Sequence, residues 1–281
     1  MDFNLGLKRE FEFTDQHFSK VKEDLYGYAG IVLADHKKDM AYNRLVRRVR
    51  ALGLLSFDSY FTYISSNQSE FEQFINALTT NLSSFFRENH HFSYIKSNIL
   101  PDMRASGQDK IRVWSAGCSH GEEAYSIAMT LHDALLNINQ VDVKILATDI
   151  DSTVLSTAQL GVYDIASMEG LFAQSVQKYF LKGVGVREGK VQIRQELKEI
   201  VDFKFLNLMN EWPMQGRFDF IFCRNVMIYF NKETQQYLVE KFAQYLKPGG
   251  YLFVGHSEAL GFQQRKFKLI GKTIYQFQST P

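Results

Sequence analysis

Apolar and polar positions in the first quarter of the chain recur with the 3.6-residue period of amphipathic helices. The spacing predicts helices over residues 18–31, 37–51, 57–65 and 70–78, broken by Gly, Asp or Ser-Asn turns. In the second of these, Tyr42, Leu45 and Val49 fall at i, i+3 and i+7 and define a buried stripe. From residue 111 the pattern changes. Short apolar runs at 111–116, 143–148, 200–205, 218–223 and 251–255 alternate with helical stretches at 122–136, 152–160 and 232–246. Such alternation predicts an α/β fold with a mostly parallel sheet covered by helices on both faces. Two stretches depart from it. Residues 183–194 are punctuated by glycines, with Val191 and Ile193 at period two, which predicts a small antiparallel excursion inserted in the sheet domain. Residues 267–277 read as strand, turn, strand. The expected division is a helical domain over 1–75 and an α/β domain over 76–281, with the inserted β subdomain at about 180–197.

The candidate chemistry collects at the ends of the predicted strands. The first strand runs into Gly117-Cys118-Ser119-His120-Gly121 and then into a helix whose apolar positions are Ala124, Ile127, Ala128, Leu131 and Leu135. The two glycines let backbone approach a ligand closely, and a helix N-terminus attracts anions. Glu122 and Glu123 place two carboxylates where a pyrophosphate would lie, so a cationic or hydroxyl-rich ligand fits better. The Gly-x-x-x-Gly spacing matches neither the dinucleotide fingerprint nor the phosphate loop. Asp149 ends the second strand, where an acid accepts hydrogen bonds from a ribose diol, and Asp151 suits a helix N-cap. Asn207, after the third strand, could read an adenine edge or be a polar turn residue. After the fourth, Arg224 and Asn225 interrupt an apolar run and Tyr229 follows one turn later; buried polar groups of this kind demand partners. Four such strand ends suit S-adenosylmethionine, a nucleoside bearing a sulfonium and an amino acid but no phosphate.

Composition narrows the setting. With 281 residues, 45% of them hydrophobic and 14% aromatic, the chain can bury a sizeable core as one large or two modest domains. No apolar run reaches about 18 residues, and the N-terminus lacks a basic stretch followed by an apolar one, so the expectation is a cytoplasmic protein without membrane insertion. Cys118 and Cys223 read as reduced thiols. The seven histidines, among them His90, His91, His120, His132 and His256, show no recognised zinc spacing and read as surface or packing residues, so no metal is expected. Thirty-two basic against 31 acidic residues give no overall attraction to nucleic acid. Locally, Lys37, Lys38, Arg44, Arg47, Arg48 and Arg50 lie largely opposite the buried stripe of the second helix. They form either a solvated face or a docking face for an acidic partner.

Five segments carry a resemblance. They are Thr80-Asn81-Leu82-Ser83-Ser84-Phe85-Phe86-Arg87-Glu88, Trp114-Ser115-Ala116-Gly117-Cys118-Ser119 with Gly121-Glu122-Glu123, Asp149-Ile150-Asp151, Asn207-Leu208, and Phe222-Cys223-Arg224-Asn225-Val226-Met227-Ile228-Tyr229-Phe230. Together they make the chain similar to the chemotaxis receptor glutamate methyltransferases, the CheR family, from about Thr79 to the C-terminus. The resemblance implies a Rossmann-like class I S-adenosylmethionine-dependent methyltransferase fold, S-adenosylhomocysteine as product, and esterification of glutamates on methyl-accepting chemoreceptors. It further implies that Asn81, Ser83, Arg87, Glu123, Asp149, Asn207, Leu208, Arg224 and Asn225 line the cofactor pocket, with Arg87 and Tyr229 nearest the transferred methyl. Receptor helices would meet the basic helix through Arg44, Arg47, Arg48 and Arg50. The inserted subdomain, with Gly183 and Gly185, would tether a receptor C-terminal peptide by strand addition, with Val191 and Ile193 supplying edge contacts. Ser83, His120 and Ala124 stand where Thr, Thr and Pro are frequent in the family. A cofactor-binding signalling module without catalysis is the alternative, but it could dispense with Arg87 and Tyr229. An amino-directed nucleic-acid methyltransferase would carry an Asn/Asp-Pro-Pro-aromatic motif where Arg224-Asn225-Val226-Met227 stands.

Overall fold

The computed structural model describes residues 9–135, 141–171, 173–261 and 265–278, which divide into two compact units, Met1–Thr80 and Asn81–Pro281. In the first unit, α1 (Asp15–Ala29), α2 (Lys38–Ala51), α3 (Phe57–Ser66) and α4 (Gln68–Leu78) correspond to the four expected helices, with ends displaced by up to three residues. Three of the four starts are capped by a side chain. Thr14 closes a capping box with His17, and Ser56 and Asn67 accept N–H groups at the starts of α3 and α4. Phe18, Val21 and Leu25 of α1, Leu45 and Val49 of α2, Phe57 and Tyr60 of α3 and Phe74 of α4 are buried.

The basic face of α2 is narrower than the sequence suggests. Arg48 makes a two-pronged bond to the buried Glu70, at 2.9 and 2.6 Å, and Tyr60 donates to the same carboxylate. Arg44 donates to the carbonyls of Ala77, Leu78 and Thr79, filling acceptors that the end of α4 leaves open. These two arginines hold the unit together. Lys38 pairs with Asp15 and Arg50 with Glu10, both at the surface, and Arg47 is exposed.

The second unit opens with α5 (His90–Tyr94), a π-helical turn, and α6 (Leu100–Ala105), and continues as β1 (Lys110–Ala116), α7 (Glu122–Leu135), β2 (Asp142–Asp149) and α8 (Ser152–Leu160). A small sheet, β3 (Val162–Asp164), β4 (Phe180–Lys182) and β5 (Lys190–Ile193), follows, with α9 (Ala173–Tyr179) between its first two strands. Then come α10 (Gln195–Lys198), β6 (Val201–Phe205), β7 (Phe218–Cys223), α11 (Lys232–Tyr245), β8 (Leu246–Val254), β9 (Phe267–Gly271) and β10 (Ile274–Phe277). Among the described residues the large sheet has the order β6-β2-β1-β7-β8-β10-β9, with β10 antiparallel to both neighbours and the other pairings parallel. Successive residues of β1 serve opposite faces. Val113 joins the core that includes Ile127 and Ala128 of α7, while Trp114 packs edge-on against Trp212 and Phe242 of α11. The chain leaves β1 toward β2 and β6 on one side, and β7 and β8 lie on the other. This reversal opens a crevice beyond the carboxyl ends of β1 and β7.

The small sheet has the order β3-β5-β4 and begins at Val162, earlier than the expected boundary of about 180. It corrects the expectation for Val191 and Ile193. They lie on the central strand and are buried, so they pair with β3 and β4 and offer no edge to a peptide. Gly183 and Gly185 sit on the connection between β4 and β5; a Cβ on Gly183 would meet the Arg187 carbonyl oxygen at 2.0 Å.

Candidate cofactor and methyl-transfer site

The crevice is built by loops whose backbone is held in conformations that side-chain-bearing residues rarely adopt. Phe86, Glu88, Ser119 and Asn225 all have positive φ, at 51°, 55°, 50° and 59°, and such strain persists only where surrounding structure enforces it. After β1, the N–H groups of Gly117 and Cys118 both donate to the Thr148 carbonyl, at 2.8 and 2.9 Å, tying the end of β1 to that of β2. Gly117 itself has φ 87°, and a Cβ there would lie 2.3 Å from Val226 Cγ2, so glycine lets the loops after β1 and β7 meet.

Asp149 ends β2 and is buried. Its two oxygens accept the N–H groups of Ser119 (2.8 Å) and Asp151 (3.0 Å), which fixes the carboxylate plane and leaves lone pairs on both atoms for further donors. Burial raises its pKa against the pull of these backbone donors. Asp151 caps α8, accepting from Thr153 and Val154 N–H, and also takes a 2.7 Å bond from Asn81. Asn207 follows β6, is buried, and accepts the Met209 N–H; Leu208 beside it is buried too.

Beyond β7, Arg224 is almost wholly enclosed. It donates to Glu123 at 3.1 Å and to the Arg87 carbonyl, stands 3.7 Å from Glu88, and lies over the Phe92 ring. Ser115 donates to the other oxygen of Glu123, whose pKa is nevertheless raised by burial. Arg224 is thus a buried tie between three segments, where the sequence suggests only a pocket-lining residue. Ser83 is half-buried, and Glu122, whose Oε2 is buried and unpartnered, has its pKa raised by burial. Arg87 is half-buried and donates to the Leu82 carbonyl at 3.0 Å, and Tyr229 is half-buried on a short turn after Asn225. His120 is also half-buried: its ring meets the Ser119 hydroxyl at 3.1 Å and its carbonyl accepts the Tyr163 hydroxyl.

One organising residue was not apparent from the sequence. The Glu258 carboxylate accepts three backbone N–H groups, from Asn225 (2.7 Å), Ile228 (3.2 Å) and Gly255 (2.6 Å), and so pins the loop that carries Arg224, Asn225 and Tyr229. Its signal in the chain is slight, a lone acid shortly after an apolar run. Glu88 is a second such residue, facing Arg224, Asn225 and His256.

Residues 81–276 match the family profile described as the CheR methyltransferase SAM-binding domain, and residues 16–79 match its all-alpha domain. The chain belongs to the CheR methyltransferase family. It is 48% identical over 274 residues to the chemotaxis protein methyltransferase of Escherichia coli strain K12, spanning 96% of this chain and 94% of that protein. Chemotaxis protein methyltransferase 2 of Pseudomonas aeruginosa is 43% identical over 95% of both chains, and the Borreliella burgdorferi chemotaxis protein methyltransferase 38% identical over 92% of both. The S-adenosylmethionine-binding methyltransferase domain of the CheR family therefore coincides with the unit that holds the crevice.

The residues of the crevice fit that cofactor. At the helix start that a phosphate would need, Glu122 keeps a buried, unpartnered Oε2, and Asp149 presents an oriented carboxylate on the adjacent strand, two acceptors suited to an ammonium and a ribose, while Glu123 is already held by Ser115 and Arg224. Among the described residues no helix is long and apolar enough to cross a membrane.

Proposed function

We propose that the protein is a protein-glutamate O-methyltransferase that esterifies glutamate side chains of methyl-accepting chemoreceptors. The observation that carries this reading is the near full-length match to chemotaxis protein methyltransferases, combined with a crevice whose acids suit S-adenosylmethionine. When bound, the cofactor supplies a methyl group on a sulfonium. Asp149 holds the ribose, Asn207 and Leu208 the adenine side, and Asn81, Ser83, Glu123, Arg224 and Asn225 shape the rest of the pocket.

A glutamate side chain with a reference pKa of about 4.3 is already ionised near neutral pH, so the reaction needs no general base. The protein's contribution is placement and exclusion of water, with reacting atoms held roughly 3 to 3.5 Å apart. Arg87 orients the incoming carboxylate through its planar fork, and Tyr229 hydrogen-bonds its other oxygen or the methyl end of the cofactor. Too tight an ion pair would weaken the nucleophile, because negative charge is consumed in the reaction. Arg87 is therefore a positioning cation. The exposed Arg47, with the surface charges of Arg50 and Lys38, supplies a docking face for acidic receptor helices. The outer edges of β3 and β4 remain the strands to which a receptor C-terminal peptide could add.

The reading is tested by incubating the protein with methyl-labelled cofactor and a receptor cytoplasmic fragment. Base-labile label on glutamates supports it; label that is base-stable, or no label at all, rejects it. In the same assay Arg87→Ala should lose most of the transfer rate with melting temperature little changed, and Arg87→Lys should rescue only partly, since a point charge does not reproduce the fork.

A further inference from the structure

Beside the methyl-transfer crevice lies a cluster that the proposed reaction does not use. Glu88, His90 and His91 each bring one ligand-type atom within 4.8 Å of the others. His91 is fully buried and the Glu88 side chain is 10% exposed. The Nδ1 of His91 and the Oε2 of Glu88 face each other across 3.9 Å, and neither has a hydrogen-bond partner among the described residues.

The tautomers sharpen this arrangement. The Nε2 atoms of His90 and His91 lie 3.1 and 3.3 Å from the Lys272 carbonyl oxygen, which can only accept, so both rings carry their proton on Nε2. The Nδ1 of each ring is then a bare lone pair. At His91 that lone pair points at a carboxylate oxygen, so two acceptors confront each other in a buried space. Only a proton, a water donating both ways or a cation satisfies both.

We propose that Glu88, His90 and His91 form a binding site for a divalent transition-metal ion of the zinc class. Two imidazoles and a carboxylate are the N/O donor set such ions prefer, with water completing the coordination. Bonds of about 2.0–2.2 Å put tetrahedral ligand atoms roughly 3.4 Å apart, so the Glu88 to His91 gap closes with a shift of about half an ångström. The surroundings are those of a metal site. The backbone carbonyl of Lys272 orients both rings, the Thr273 hydroxyl supports His91 at 3.0 Å, and His256 holds the other Glu88 oxygen at 3.0 Å. Arg224 stands beside the site, 3.7 Å from Glu88 Oε2, with its charge shared with Glu123 and the Arg87 carbonyl and its Nε without a partner. The three negative or lone-pair partners outnumber it.

The test is titration of the full chain with zinc against a chromophoric chelator, independent of any methyl-transfer assay. One zinc ion per chain at micromolar strength or tighter is expected, with His90→Ala and Glu88→Gln each weakening it about tenfold or more. His90 is half-buried, so its variant should keep the wild-type melting temperature and report on the metal alone even if Glu88→Gln unfolds. Cobalt in place of zinc should give visible absorption from a four-coordinate site that His90→Ala abolishes. No binding at micromolar zinc, as expected if a water bridges the two acceptors, or equal binding by wild type and a folded His90→Ala, overturns the proposal.

Discussion

Single carboxylates decide the local architecture of the crevice. Glu258 satisfies three N–H groups around a left-handed Asn225, and Gln in its place would turn an NH2 toward at least one of them. Glu258→Gln should therefore lower stability by about 1–3 kcal/mol and reduce transfer further by loosening Arg224 and Tyr229. Chemical denaturation alongside initial rates checks this, and unchanged values in both would remove Glu258 from the account. Asp149 differs because the proposed function also gives it the ribose. Losing a charge-assisted bond to the ribose in Asp149→Asn should weaken cofactor binding by about 1.5–3 kcal/mol, measured by calorimetry. Burial raises the Asp149 pKa, so its protonation begins at a higher pH than for an ordinary aspartate. Wild-type affinity should accordingly fall as pH drops toward and through the usual carboxylate range, starting above it, while the Asn variant stays flat there. Equal pH profiles for the two proteins would sink the ribose assignment.

Among elements, the glycine turn after β1 and the loop after β7 are mutually dependent. A methyl group at residue 117 would both require a left-handed backbone and overlap Val226. Gly117→Ala should thus push the Arg224–Tyr229 loop outward, cutting cofactor affinity at least tenfold with a stability loss of roughly 1–3 kcal/mol. Titration calorimetry and thermal melts read the two effects separately, and full affinity would show that the contact can relax. The helices of the first unit were legible because periodicity is local, while the ends of α1, at Asp15 and Ala29 instead of 18 and 31, were set by the Thr14 capping box and the left-handed Gly30. The strand order of the small sheet was not. Period-two alternation at Val191 and Ile193 says that one face of a strand is buried, but both an edge and a central strand satisfy it, and only pairing on two sides separates them.

At the scale of the whole molecule, the cofactor candidates from Asn81 to Tyr229 fall in one unit and the basic helix in the other. A chain beginning at Thr79 should bind cofactor within a few-fold of full length yet methylate receptor poorly. In the full chain, Arg47→Glu should raise the apparent KM for receptor and flatten its salt dependence, with cofactor affinity unchanged. Salt titration of the initial rates distinguishes this from a merely solvated face, for which neither quantity moves. Sequence alone determined the helical and α/β halves, because hydrophobic period and glycine turns are properties of neighbouring positions, and resemblance across five segments supplied the cofactor class and the candidate crevice residues. Tertiary structure alone decided what those residues touch. It removed Arg44 and Arg48 from the free basic face, enclosed Arg224 between Glu123 and Glu88, and brought Glu258 under a loop about 30 residues away in the chain. Partners so far apart are chosen by packing and by the demand that buried charge and backbone N–H be satisfied, which no local pattern encodes.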